Sequence, residues 1–417
     1  MNKTTFFFVA AFSLFFSSSA VCAPQIAGTA GAFREGESVV INGSGFGAKS
    51  RATPLKWDNF ESGAPDQLIP TADGIYTNAS VWGNSIREDN LTFTNANNRP
   101  GSTLCSKNDM DDYYADNQRS AYLKWGTDVD SLKKIFVTFW ARFTFGTDYQ
   151  RHQVKFWRIE SNSDDGMKFA QYNWGPQDAA HYYQRGTGSG GVASSHYFTG
   201  QLPYQQNQWF QIEFQAEQSD QGIANGSIEI WNSHVFGSTE PMVKIIDLQD
   251  YLTRSVPYYW DRVYIGEATT NLDHYVKSGV TNYFDNFYID NSWARVVIGD
   301  ASTYNACRRR EVQIPSAWSD NSISVTVNSA SLPYGTAYLY VVDGNGTYNA
   351  NGYPITVEQS AKWLADVVAR WQAGKLTRDD LNRAIYWYIK GTAPTGDPMA
   401  ELTEEDIGNA LKIVGQE

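Results

Sequence analysis

Cysteine, histidine and methionine are all scarce, with 3 Cys, 5 His and 5 Met in 417 residues. So few cysteines exclude a disulfide-dense scaffold, and no Cys/His cluster has the spacing of a zinc site. Cys22 falls in a leader, which leaves Cys105 and Cys307; in an oxidising compartment they can pair, and the sequence leaves that pairing open. Positive charge is also in deficit. A net charge of -12 excludes nucleic acid as a partner, because phosphate binding needs a basic surface. An acidic polymer would have to be met by a local basic cleft rather than by long-range steering. No phosphate loop, nucleotide fingerprint or Ser-His-Asp spelling stands out, so no organic cofactor is implied. Gly186–Gly191 is glycine-rich but follows no βα unit and reads as a surface loop.

Long hydrophobic runs are missing too, with one exception at the start. Lys3 is followed by an apolar stretch from Phe6 to Phe16 and a small-residue region ending at Ala20 or Ala23. That is the layout of a secretory signal peptide, placed at 1–23, and it is too short for a bilayer-spanning helix of about 20 residues. The expected protein is secreted, periplasmic or on the cell surface, without a membrane span.

What the chain does have is aromatic side chains: 25 Tyr, 22 Phe and 14 Trp. Most are expected to fill a β core, with Tyr and Trp to spare for a stacking surface. Period-two alternation recurs. In Ile135–Phe145, residues Ile135, Val137, Phe139, Ala141, Phe143 and Phe145 share one face, and Phe136, Thr138, Trp140, Arg142 and Thr144 the other. Phe210, Ile212 and Phe214 likewise oppose Gln211, Glu213 and Gln215. Such patterning predicts antiparallel strands with one side on a core, and many of them predict a sandwich. The tail, 359–417, changes to helical spacing, with a helix expected over Arg378–Lys390 between Thr377 and Gly391. It lacks a calcium-hand loop and is expected to serve as a docking element for another protein.

Two resemblances refine this layout. "GESVVINGSGFG" at 36–47 is similar to the opening of a TIG/IPT-type immunoglobulin-like module, and strands of that kind return at 294–300, 322–328, 336–349 and 353–357. The resemblance implies one discontinuous domain from 24–55 and 293–358, interrupted by 56–292. That insert opens with "WDNFESG" (57–63) and closes with "YFDNFYIDN" (283–291), edges that resemble jelly-roll carbohydrate-binding modules and concanavalin-like sandwiches. The expected fold is therefore mainly β: an antiparallel jelly-roll β-sandwich inserted into a small Ig-like β-sandwich, plus a short C-terminal helical segment. The insert's end strands should pair. In such modules matching acidic positions hold structural calcium, which implies Glu61 and Asp285 as oxygen ligands with Asp58 as a further one.

The insert also carries the candidate site. Trp140, Arg142, Gln153, Lys155 and Trp157 fall on the polar faces of two strand candidates, as a sugar-stacking surface requires; the competing reading makes both tryptophans second-face core. All five histidines, 152, 181, 196, 234 and 274, lie in the insert. No Glu-x-Asp-x-x-Glu strand of a retaining glucanase is present, and Glu229 stands alone in its strand. "RSAYLK" (119–124), "QVK" (153–155) and "YVKSGVTNY" (275–283) follow the motif order of alginate-lyase-type jelly rolls. That resemblance implies β-elimination on a uronate-containing polysaccharide. It casts Gln153 as carboxylate neutraliser and Tyr275 as proton carrier, with Arg119 and Lys277 of its motifs as substrate ligands, while the insert's own inventory of side chains adds Lys155 and His181 as proton-moving groups. This chain departs from the pattern at Lys155, Ala121 and Val276, where the family has histidine, an acidic residue and phenylalanine. A non-catalytic glycan-binding or cell-surface module, and a glycoside hydrolase with dispersed carboxylates, are the alternatives.

Overall fold

The computed structural model describes residues 23–72, 82–83, 91–109, 119–120, 123–126, 132–146, 153–161, 168–173, 179–186, 194–203, 206–255, 257–266, 268–270, 279–329, 331–333 and 335–358. For 119–120, Gln153, Lys168, 170–173, 179–186, 194–203 and 268–270, the description covers the backbone alone. The mainly β class expected from the alternation is the one observed. The tail expected to be helical and the expected signal peptide, apart from Ala23, lie outside the described residues. Among the described residues no helix is long and apolar enough to cross a membrane.

The larger sandwich packs two sheets. One, the covered sheet, runs in the order Val243–Tyr251, Gly226–Asn232, Phe210–Glu217, Lys134–Phe145, Val280–Asp290, Cys105–Asp109 and Leu91–Thr94. The other, the open sheet, runs Ser194–Pro203, Ala179–Gly186, Lys168–Asn173, Gln153–Glu160, Arg262–Ile265, Leu123–Gly126, Trp82–Gly83 and Thr71–Ala72. The two ends of the insert do pair: Asp58 stands opposite Phe287, Trp57 opposite Tyr288 and Lys56 opposite Ile289. Between the sheets lies a core rich in rings, including Phe139, Phe143, Phe156, Trp157, Phe214 and Phe284. The Phe143 and Phe156 rings stack 3.8 Å apart across it. Burying that much aromatic surface is what holds two half-polar sheets together.

A smaller pair of sheets is assembled from both ends of the chain. Gln25–Ala30 and Ser38–Ser44 pair with each other, and Ser38–Ser44 pairs with Ser322–Thr326, which pairs with Ile314–Trp318. The second sheet runs Phe33–Arg34, Tyr353–Glu358, Gly335–Val342, Arg295–Gly299 and Arg310–Val312. Val39, Ile41, Val296, Ile323, Val325 and Leu339 fill the space between. The glycine-rich turn after Ser44 is needed for its backbone: Gly45 and Gly47 take φ of 70° and 73°, in the left-handed region that a side chain disfavours.

The two sandwiches share a contact that is both apolar and charged. Phe136 and Tyr288 of the larger one pack with Val297, Tyr340 and Val342 of the smaller. Around them Arg310 meets Glu213 at 3.1 Å and Lys49 meets Asp290 at 2.6 Å, all four side chains essentially inaccessible. Gln211 Nε2 donates to the Arg310 carbonyl at 2.6 Å, and the Arg310 N–H donates back to Gln211 Oε1 at 3.1 Å. The polar outer face of the covered sheet is thus roofed by the smaller sandwich.

Candidate functional site

The open sheet carries several of the expected site residues, and a single irregularity decides which described side chains of the Gln153–Glu160 strand face outward. On Gln153–Glu160 the register to Lys168–Asn173 slips between Lys155 and Trp157. A bulge of this kind adds one residue to one strand, so the phase of the alternation changes there. Val154, Phe156, Trp157 and Ile159 all reach the core, while Lys155 and Arg158 remain partly exposed.

Two rows cross the sheet at these positions. In the first, Lys155 is paired with Tyr172, Tyr172 with His181, and His181 with Thr199. In the second, Arg158 is paired with Tyr264 and Tyr264 with Lys124. Beside the second row Arg262 is paired with Glu160 and Gly126. The Arg158 guanidinium lies 4.2 Å from the centre of the Tyr264 ring and 3.3 Å from the Glu160 carboxylate. Arg262 holds Asp261 at 3.1 Å and donates from Nη1 to the Tyr264 hydroxyl at 3.4 Å. Burial pushes the Tyr264 phenol above its ordinary range, so it stays protonated. The described side chains of this face include the cations Lys124, Lys155, Arg158 and Arg262, the Tyr264 phenol and the Glu160 carboxylate.

The expected site residues separate into four groups. Lys155 sits on this face, and His181 shares its row. Gln153 is two residues earlier on the same strand, opposite Thr270, and Arg119 is opposite Thr269 at the sheet margin. Tyr275 and Lys277 lie outside the described residues. Trp157 and Trp140 are 0% and 1% exposed, so neither ring offers a stacking face. Trp157 turns inward because of the bulge. Trp140 keeps the outward phase expected of it but is buried with Cys105, Trp209 and Tyr283, and its Nε1 donates to Glu311 of the smaller sandwich at 2.8 Å. Arg142 lies on the same covered-sheet face, donating to Asn97 Oδ1 at 3.1 Å, on the opposite side of the sandwich from Lys155.

The three expected calcium ligands serve three different sets of donors. Glu61 accepts from the N–H groups of Thr103 and Leu104, at 2.8 and 3.1 Å. Asp58 accepts from Trp82 Nε1 at 2.7 Å and from the Phe60 N–H at 2.8 Å. Asp285, fully buried, is paired with Arg99 at 3.0 Å, so a guanidinium already supplies the positive charge beside it. Among the described residues no three His, Cys, Asp or Glu side chains converge where they could hold a metal ion. Glu61 and Asp285 nonetheless lie near enough that the Asp285 pKa, raised chiefly by burial, is raised further by the Glu61 charge. The possible disulfide is not formed: Cys105 and Cys307 are free and buried, in separate clusters.

Lys124, Arg158, Arg262 and Tyr264 were not expected. Arg262 and Tyr264 do alternate in a short strand, and that signal was available. Arg158 was hidden because simple alternation from Lys155 assigns it to the wrong face.

No family model matches the chain, and no curated protein does. Solved structures overlay on part of it. The endo-β-1,4-glucuronan lyase of the fungus Trichoderma reesei does so at 10% identity with a TM-score of 0.39, over 49% of this chain and 87% of that one. The PL-14 alginate lyase of Aplysia kurodai gives 14% identity and a TM-score of 0.36 over 48% of this chain and 87% of that one. A GH131 β-glucanase catalytic domain from Podospora anserina gives 11% and 0.30, over 54% of this chain and 85% of that one.

Proposed function

We propose that this protein acts on a polysaccharide at the open face of its larger sandwich, by β-elimination on a uronate-containing glycan. The observation that carries the reading is the row in which Lys155, Tyr172 and His181 stand side by side on three neighbouring strands. Elimination requires a base for the C5 proton, an acid for the leaving oxygen and a group that neutralises the uronate carboxylate. Lysine, tyrosine and histidine are the side-chain types that move protons near neutral pH once their surroundings tune them. Gln153, at the start of the Lys155 strand, is assigned the neutralising role. Tyr275, with Lys277, is assigned to the same chemistry from the sequence motif alone. Arg119, at the sheet margin, is assigned to substrate binding.

The test is incubation of the purified protein with a panel of uronate polymers, following absorbance at the unsaturated-uronate band. A rise with one of them is expected, reduced about a hundredfold or more in Lys155→Met, the scale of a lost acid or base. Binding to a polymer with no rise in absorbance on any of them identifies a non-catalytic glycan-binding module instead. Tyr275→Phe with unchanged turnover removes that residue from the mechanism.

A further inference from the structure

We infer that Lys124, Arg158 and Arg262 form an anion-recognising subsite beside the Lys155 row, one that selects glycans carrying a negative charge on a sugar that does not react. The inference rests on reading the open face as glycan-binding, and adds to it which residues set specificity.

The geometry comes from three neighbouring strands. Lys124, Tyr264 and Arg158 form one row, with Arg262 next to Tyr264 on its strand. Arg158 is the next partly exposed position after Lys155 on its strand, so the patch adjoins the reacting row. The Tyr264 ring is 4% exposed and lies under the Arg158 guanidinium, 4.2 Å away. The ring therefore fixes the position of the cation and is not itself a stacking platform.

The charge balance points to an anionic ligand. Among the described residues Lys124, Arg158 and Arg262 stand against Glu160 and Asp261, a local excess of one positive charge on a chain whose net charge is -12. Lys124 makes no ion pair among the described residues. Burial and the positive charges of Arg262 and Arg158 hold its ammonium below the ordinary lysine value, with Glu160 opposing them. Arg262 is 8% exposed, and its Nη2 meets no acceptor among the described residues. An oxyanion is met by the partly exposed Lys124 ammonium, while Arg262, whose Nη2 has no free surface, adds charge rather than a direct contact. A carboxylate and a sulfate ester share this chemistry. A neutral hydroxyl does not answer the excess charge.

The experiment is calorimetric binding of an oligouronate, a sulfated oligosaccharide and a neutral oligosaccharide of similar length. It is run on the full-length protein and on Lys124→Gln and Lys124→Arg. Lys124 is chosen because it is partly exposed and outside the Arg262–Asp261 pair, so its replacement leaves the fold intact, which circular dichroism verifies. The expected result is binding of an anionic ligand that weakens with salt. It falls roughly tenfold in Lys124→Gln, the scale of one charge-assisted contact, and returns in Lys124→Arg. Which anionic ligand binds tells carboxylate from sulfate. Equal affinity in Lys124→Gln and the unaltered protein, or a neutral oligosaccharide bound as tightly as the charged ones, overturns the inference. Because binding is the readout, the two readings fail separately. Charge-selective, Lys124-dependent binding without turnover removes the lyase and keeps the subsite, while turnover with unchanged affinity in Lys124→Gln does the reverse. No binding of any glycan overturns the face itself and the subsite with it.

Discussion

The guanidinium of Arg310 and the carboxylate of Glu213 meet at 3.1 Å across the contact between the two sandwiches, with side chains 1% and 0% exposed. Burial opposes the arginine's charge, yet Glu213 beside it holds the Arg310 pKa above its ordinary value. Two strands far apart in sequence are thereby joined by a charge pair that water does not reach. Glu213→Gln leaves a buried guanidinium without its counter-charge and is expected to cost about 3–5 kcal/mol. Urea denaturation measures it. A change within about 0.5 kcal/mol would show that the pair does not bear on stability.

Trp157 was expected to face a sugar and instead packs edge-on to Phe139 and Phe214, at 5.9 and 5.6 Å between ring centres. Trp157→Ala should therefore destabilise the larger sandwich by about 3–5 kcal/mol through the cavity it leaves. A ring serving only at the surface would give a normal midpoint of unfolding and a selective loss of glycan binding.

Both described cysteines should be silent to thiol reagents in the folded protein. Cys307 is fully buried, with its thiol pushed up to about 11 by that burial, and burial also raises the Cys105 thiol. Alkylation without reductant, followed by mass spectrometry, should label neither in native buffer and both in denaturant. Absence of label on both in denaturant would establish that they are oxidised.

Asp290, paired with Lys49 at 2.6 Å, supplies a test in pH. Its carboxyl is raised above the ordinary 3.8, chiefly by burial, against the pull of Lys49 and the Tyr288 hydroxyl. The folded state then holds a proton that the unfolded chain releases. This contribution to stability is complete below about pH 3.8 and is lost as pH rises through the folded value. Asp290→Asn should flatten the dependence of unfolding free energy on pH just above that point. An identical slope in the variant would remove Asp290 as its source.

The sequence by itself determined the class of fold and one of its strand pairings. Alternation in Ile135–Phe145 correctly separated the core residues Val137, Phe139 and Phe143 from Phe136, Thr138 and Trp140. The two acidic, aromatic ends of the insert paired as their likeness to jelly-roll edges implied. Period two reports which residues share a face, because successive side chains of a strand point to opposite sides. It does not report what covers that face. Only the tertiary structure decided that the outer face with Trp140 and Glu213 is roofed by the smaller sandwich. Nor does period two survive an inserted residue: the slip after Lys155 sent Trp157 inward and left Arg158 on the open side. The register across strands, which sets Lys155 beside Tyr172 and Lys124 beside Tyr264, is fixed by contacts between segments distant in the chain. Local pattern carries no record of those contacts, so the cationic face became visible only once the strands were side by side.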